Sequence, residues 1–307
     1  MDEEPREEPS CPYCGAPKDR GHARDCPVLT RHHEKYAGRP EPGSDRRFEV
    51  SKAQFSKERL SALRHGFEKF QAQNPEALAF GMFGSMVQGR AIESSDIDGF
   101  LFLDAVAVLA KNKDSSIDTV TSEVIEHTGI IKETMLDDKT EHQYSSAFRE
   151  TIVAESEALT AEHLPHLFVR PVSYEIIDQH IEEFVDLIHR FDEWIVKSKE
   201  REDFLAQGGE EKRAPSVPEK PTLMQVSPNL VSLFYLQLGH GLDPYRNYLL
   251  EKLSQMGEVG EVVWKGIGRG LEAFEQGTIT DKKYPRTLEE AKGTYLKNSL
   301  SPSLNID

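Results

Sequence analysis

The sequence predicts an α/β (α+β) protein with a small mixed sheet, a helical C-terminal domain and a small cysteine-rich unit near the N-terminus. Three observations support this fold class. Apolar segments of strand length occur at 77–85, 96–104 and 166–173. Segments with helical spacing separate these strands and fill most of the chain after residue 227. All three cysteines lie between residues 11 and 26.

Composition limits the classes of protein that this chain can represent. Its 307 residues are 37% hydrophobic and carry a formal net charge of −16, which excludes collagen-like, disulfide-dense and wholly disordered chains. No apolar run approaches the ~18–20 residues of a membrane span, and MDEEPREEPS lacks the apolar core of a signal peptide. We therefore expect a cytoplasmic protein with no membrane partner. The acidic average also disfavours RNA as a partner, although the region from Lys18 to Arg47 is locally basic.

The chain is expected to divide into five parts. The predicted parts are an acidic tail with the cysteine-rich unit and a linker (1–47), a mixed α/β domain (48–205), a linker (206–226), a helical domain (227–300) and a tail (301–307).

Apolar spacing predicts the main helices. Phe55, Leu60, Leu63, Phe67 and Phe70 lie on one face of a helix over 51–73, and Asn74-Pro75 ends it. A second long helix is predicted over 174–199, and shorter ones at 229–238, 244–256, 261–274 and 287–296. Residues 105–160 are expected to contain helical stretches. The strand at 166–173 contains Pro171, which favours a sheet edge or a strand end.

The most informative segment is a Gly-Ser turn followed by two aspartates. Gly84 and Ser85 follow the first strand, where backbone N–H groups and the serine hydroxyl can approach an anion such as a phosphate. Asp96 and Asp98 are two residues apart on the next strand, so both carboxylates point to the same face. Two carboxylates beside a phosphate site are suited to Mg²⁺, which prefers oxygen ligands and bridges protein carboxylates to substrate phosphates.

This segment, FGSMVQGRAIESSDIDGFLF (83–102), resembles the signature of the DNA polymerase β-like nucleotidyltransferase superfamily, and the minimal and aminoglycoside nucleotidyltransferases look most similar. The resemblance covers about twenty-five residues. It implies that Gly84 and Ser85 hold a nucleoside triphosphate, and that Asp96 and Asp98 are catalytic residues that bind Mg²⁺. It also implies transfer of a nucleoside monophosphate to an acceptor hydroxyl, whose identity the sequence leaves open.

One departure from the family pattern concerns a third carboxylate. The family usually supplies it from a later strand, but HLFVRPVS (166–173) contains no acid. When this strand is lined up with the family pattern, His166 or Phe168 falls near the position of that acid. Glu162 and Glu175 flank the strand. Two hypotheses follow. Either His166 or a flanking acid completes an active site, or the protein is a catalytically impaired, zinc-containing nucleotide- or RNA-binding module.

The cysteine-rich unit has the spacing of a zinc site. Cys11, Cys14, His22 and Cys26 follow the pattern C-x2-C-x7-H-x3-C, and three thiolates with one imidazole form a closed tetrahedral set. A unit this short cannot bury a core, so metal binding would supply its folding free energy. His32 or His33 is an alternative fourth ligand. With four protein ligands the zinc would be structural.

We expect the purified protein to contain about one zinc per chain, since the four ligands form one closed site. Elemental analysis under non-chelating conditions measures this directly. A protein without zinc would contradict the predicted site.

Overall fold

The computed structural model describes residues 54–87, 91, 95–124, 129–155, 159–160, 163–164, 166–222, 224–273 and 284–296. The predicted zinc ligands Cys11, Cys14, His22 and Cys26 lie outside the described residues, as do His32 and His33.

The described residues form eight α-helices and six β-strands. The helices are α1 (Gln54–Gln73), α2 (Ala105–Lys111), α3 (Asp138–Glu155), α4 (Tyr174–Ala206), α5 (Pro228–Ser232), α6 (Asp243–Gln255), α7 (Glu258–Ala273) and α8 (Leu288–Tyr295). The strands are β1 (Ala77–Phe83), β2 (Asp98–Asp104), β3 (Ile117–Val124), β4 (Gly129–Leu136), β5 (Leu167–Val172) and β6 (Leu236–Leu238). None of these helices is long and apolar enough to cross a membrane.

Four strands form a mixed sheet in the order β5-β2-β1-β6. Strand β1 is antiparallel to both β2 and β6, whereas β2 and β5 are parallel. This arrangement confirms a mixed α/β fold. It also places β5 at the edge of the sheet, the position that Pro171 favours.

Helices cover both faces of the sheet because the strand side chains alternate between two apolar cores. One core joins α1 and α3 to residues such as Phe80, Met82 and Leu101. The other joins helices α4 to α8 to Phe100 and Phe102. Burial on both faces explains why β1 and β2 are almost continuously apolar in sequence.

One prediction about secondary structure was incomplete and another was wrong. Residues 105–160 contain the expected helical stretches, α2 and α3. Between these helices, residues 117–124 and 129–136 form the antiparallel pair β3 and β4, which was not predicted. The helix predicted over 229–238 ends at Ser232, and residues 236–238 form β6 instead. Strand β6 has only three residues, which is too short for an alternating pattern to appear in the sequence. Its partner, β1, is more than 150 positions earlier in the chain.

A buried carboxylate joins three of these elements. Glu76, just before β1, accepts hydrogen bonds from Lys111 at the end of α2 (2.6 Å) and from Tyr144 in α3 (2.5 Å). Burial by itself raises the pKa of the Glu76 carboxyl, but the bonds from Lys111 and Tyr144 outweigh burial and hold that pKa below its ordinary value. The ionised carboxylate therefore ties β1 to the helices on one face of the sheet.

Replacing Tyr144 by Phe should lower the free energy of unfolding by about 1–3 kcal/mol, because the buried Glu76 carboxylate loses a donor. Chemical denaturation measures the change. His142→Ala is the matched control, since His142 is an exposed residue of the same helix, and this variant should retain the stability of the wild type. Equal stability of the Tyr144→Phe variant and the wild type would contradict the role given to this bond.

Candidate metal and phosphate site

The chain turns sharply after β1 at Gly84. This residue has a positive φ of 75°, a conformation that costs little only for glycine. A Cβ atom at Gly84 would collide with the side-chain carboxylate of Asp98. The turn therefore lies directly against one of the two predicted metal ligands.

Strand register brings these residues together. Phe83, the last residue of β1, pairs with Asp98, the first residue of β2, and Met82 pairs with Gly99. In antiparallel strands the end of one strand lies beside the beginning of its partner. The predicted Gly-Ser turn and the predicted aspartates therefore meet at one end of the sheet.

Ser85 follows the glycine and is buried, with 5% of its surface exposed. Its hydroxyl oxygen has no hydrogen-bond partner among the residues that the structure describes. Leaving a buried hydroxyl unpaired costs free energy. Any ligand oxygen that reached this hydroxyl would satisfy it.

Asp96, Asp98 and His166 form one cluster. Each offers one atom that could bind a metal ion, and these atoms all lie within 4.8 Å of one another. His166 Nε2 is 4.0 Å from Asp96 Oδ2. Strand β2 begins at Asp98, so Asp96 belongs to the preceding loop and not to the strand as predicted.

Backbone hydrogen bonds hold His166 beside the aspartates. The amide of Ile97, which separates the two aspartates, donates to the His163 carbonyl at 2.7 Å. The Gly99 amide donates to the His166 carbonyl at 3.1 Å. These bonds extend the β2–β5 pairing beyond β5 and join the loop before β5 to the loop before β2.

Arg59 of α1 reinforces this junction. It is 5% exposed, donates to the Ser95 carbonyl at 3.0 Å and is 3.0 Å from His163 Nε2. It therefore contacts the residue before Asp96 and the loop that leads to His166. The sequence prediction missed Arg59, although its spacing of four from Leu63 places a charge on an apolar helix face.

Aromatic side chains form the floor next to Asp98. The rings of Phe83 and Phe100 stack with centroids 5.1 Å apart, and Phe100 stacks on Tyr235 at 5.7 Å. Arg170 lies over the ring of Phe100 and donates to Glu133 at 2.9 Å. Burial raises the pKa of the Tyr235 hydroxyl further above neutrality. The carboxylate pair thus lies beside an apolar surface.

The position predicted for a third carboxylate holds His166, followed on the same face by Phe168. Glu175 is in the first turn of α4, beyond the opposite end of β5 from His166. Glu162 lies outside the described residues. Among the residues that the structure describes, His166 is thus the third side chain of the cluster, and its ring can accept a hydrogen bond.

The donor set suits a divalent cation with oxygen ligands. Asp96 and Asp98 would bind Mg²⁺, which keeps several waters and takes further oxygens from a phosphate. The nitrogen of His166 is a poorer ligand for Mg²⁺, so of the three side chains the two aspartates suit this ion best. The Ser85 hydroxyl, which has no hydrogen-bond partner among the residues that the structure describes, is a further polar group at this end of the sheet.

Comparisons with protein-family models, curated proteins and solved structures found no match to this chain.

Gly84→Ala should destabilise the protein more than Gly257→Ala. Of the two variants, only Gly84→Ala should weaken the binding of Mn²⁺, which is used as a probe for Mg²⁺. Both glycines have a positive φ, which costs about 1–2 kcal/mol for alanine. A Cβ at Gly257 meets open space, whereas one at Gly84 displaces the Asp98 carboxylate. Chemical denaturation and a Mn²⁺ titration followed by electron paramagnetic resonance measure both effects. Equal losses of stability with equal Mn²⁺ affinities would contradict the contact between Gly84 and Asp98.

Proposed function

We propose that this protein is a Mg²⁺-dependent nucleotidyltransferase that moves a nucleoside monophosphate from a nucleoside triphosphate to an acceptor hydroxyl. The acceptor oxygen bonds to the α-phosphorus as the bond from that phosphorus to the β-phosphate oxygen breaks. Pyrophosphate leaves with the electron pair, and the hydroxyl proton passes to solvent water. The observation that carries the proposal is the Gly84–Ser85 turn lying against Asp98, within the cluster of Asp96, Asp98 and His166.

The turn would bind the triphosphate. Gly84 lacks a side chain, so phosphate oxygens can approach its backbone, and the Ser85 hydroxyl can donate to one of them. This donation would satisfy the group that has no partner among the described residues. The turn therefore contributes binding energy and orients the leaving pyrophosphate.

Asp96 and Asp98 would hold the metal, and their half-buried carboxylates have an apolar floor on one side. Mg²⁺ bound there would supply positive charge beside the α-phosphate and the leaving pyrophosphate. The aromatic floor limits the access of water to the carboxylates, which strengthens their interaction with any cation.

His166 would orient the acceptor. Its ring is on the side of the carboxylates away from the Gly84–Ser85 turn, because β5 and β1 flank β2 on opposite sides. An imidazole nitrogen can accept a hydrogen bond from a hydroxyl. This contact would direct the acceptor oxygen toward the α-phosphorus.

The absence of a third acid from this cluster, among the described residues, favours a second candidate function. A protein with the same turn and carboxylates, but without effective proton removal, would bind the nucleoside triphosphate and Mg²⁺ and not turn them over. Together with the predicted zinc unit, such a protein would act as a binding or regulatory module.

We expect Asp96→Asn and Asp98→Asn each to lower the rate of pyrophosphate release by about a hundredfold or more, because each removes a charge that holds the metal. Release is measured with labelled nucleoside triphosphates, Mg²⁺ and a panel of hydroxyl acceptors. Asp104→Asn is the matched control on the same strand face. Asp104 caps α2 and accepts from Tyr245, so this variant should lose stability but retain pyrophosphate release.

The result separates the candidates. If the wild type releases pyrophosphate and both site variants do not, the result supports the transferase. Binding of the nucleotide without release, across the whole acceptor panel, supports the binding module. Equal release by the wild type and the two site variants would contradict the assignment of the site.

A further inference from the structure

Helix α4 is longer than the core that it covers. It runs for 33 residues, from Tyr174 to Ala206, but its last buried residue is Leu187. At 1.5 Å per residue, residues 188–206 add about 28 Å of helix beyond the core. We name these residues the α4 extension.

The chain that follows the helix covers one side of the α4 extension. Arg201 donates to the Pro215 carbonyl at 3.1 Å, and Lys220 lies over the Trp194 ring, 5.0 Å from its centroid. Trp194 and Arg201 are seven residues apart, which places them on the same helix face. The chain after α4 therefore packs on that face.

A different side of the α4 extension is exposed. Ile195 and Val196 are 54% and 53% exposed, and Asp192 and Lys199 are exposed as well. Positions i, i+3, i+4 and i+7 lie together on a helix surface, so these four residues form one continuous patch, which we name the Ile195 stripe. Its two apolar residues are at the centre, and a negative and a positive charge are at its ends.

The two charges of the stripe have no ion-pair partner among the residues that the structure describes. By contrast, Lys197 on another face of the extension pairs with Glu200 at 2.8 Å. Apolar side chains such as Ile195 and Val196 gain free energy when they leave water. The Ile195 stripe therefore has the composition of a small interface, with an apolar centre and a charged rim.

The stripe is complementary to a second copy of itself when the two helices run in opposite directions. About a two-fold axis midway between Ile195 and Val196, Asp192 of each copy faces Lys199 of the other, because the two residues are equally distant from the axis. The apolar residues of both copies then meet at the axis. In a parallel pair aligned on the same residues, each charge would face its own like charge, which is repulsive.

We propose that this protein forms a symmetric homodimer through the Ile195 stripe, with the two α4 extensions antiparallel. A two-fold interface uses the same patch on both subunits, so that patch must be complementary to itself. The charges of Asp192 and Lys199 meet this requirement, and Ile195 and Val196 supply the apolar contact between them.

The dimer is expected to be weak and in exchange with the monomer. A standard interface buries about 800 Å² per partner from roughly 20–30 residues, and the stripe has only four exposed side chains in each copy. The net charge of −16 also opposes the approach of two copies. Analytical ultracentrifugation of the full chain over a range of protein concentrations measures this equilibrium.

Reversing one charge of the stripe should weaken self-association at least about tenfold, because like charges then meet at both ends of the paired stripes. The variants are Asp192→Lys and Lys199→Asp. Arg190→Glu is the matched control. Arg190 is 57% exposed and is two residues before Asp192, which places it on the opposite side of the helix, so this variant should self-associate like the wild type.

Restoring the charge pairs should restore the dimer. In an equimolar mixture of the Asp192→Lys and Lys199→Asp variants, every lysine of one chain faces an aspartate of the other. The mixture should therefore recover association, as should the double variant Asp192→Lys/Lys199→Asp, in which the two charges have changed places.

The homodimer is overturned if the wild type stays monomeric at every protein concentration up to about 0.5 mM. The Ile195 stripe as its interface is overturned if either single variant self-associates as tightly as the wild type. It is also overturned if neither the mixture nor the double variant regains association. Association is measured without nucleotide, so these outcomes do not depend on the proposed function.

Discussion

The site depends on one constraint, the antiparallel register in which Phe83 pairs with Asp98. This register places the turn at Gly84 against the carboxylate that begins β2, and it does so through backbone hydrogen bonds in the interior of the sheet. A shift of one residue would turn Asp98 to the opposite face. It would also move Phe100 out of the core that it shares with helices α4 to α8. Burial on both faces therefore enforces the geometry of the candidate site.

The parallel pairing of β2 with β5 also contributes to the geometry of the candidate site. A parallel connection needs a long crossover, and here it includes the β3–β4 hairpin and α3. The crossover returns the chain to the end of the sheet where the aspartates lie, so His166 joins a cluster whose other members are about seventy positions earlier. Arg59 of α1 binds both loops at this junction. The cluster is thus positioned by three separate parts of the chain.

The rings of His166 and Phe168 lie at the exposed edge of the sheet, beside the carboxylate cluster. Buried aromatics such as Phe100 and Tyr235 stabilise the sheet, while the rings at its edge remain accessible next to the carboxylates. An apolar surface beside a charged cluster binds an amphipathic ligand better than either part alone, because it combines burial of carbon with directional polar contacts.

The sequence by itself determined the local features: α1 and α4 from their apolar spacing, the strands β1, β2 and β5, and the residues Gly84, Ser85, Asp96 and Asp98. These features depend on neighbours within about ten positions, where side-chain periodicity and turn chemistry act. Only the tertiary structure decided that His166 completes the carboxylate cluster, that Arg59 holds its loops, and that residues 236–238 form a strand. These contacts join residues more than thirty positions apart, and no local pattern encodes them, because they arise when separate elements bury their apolar faces together.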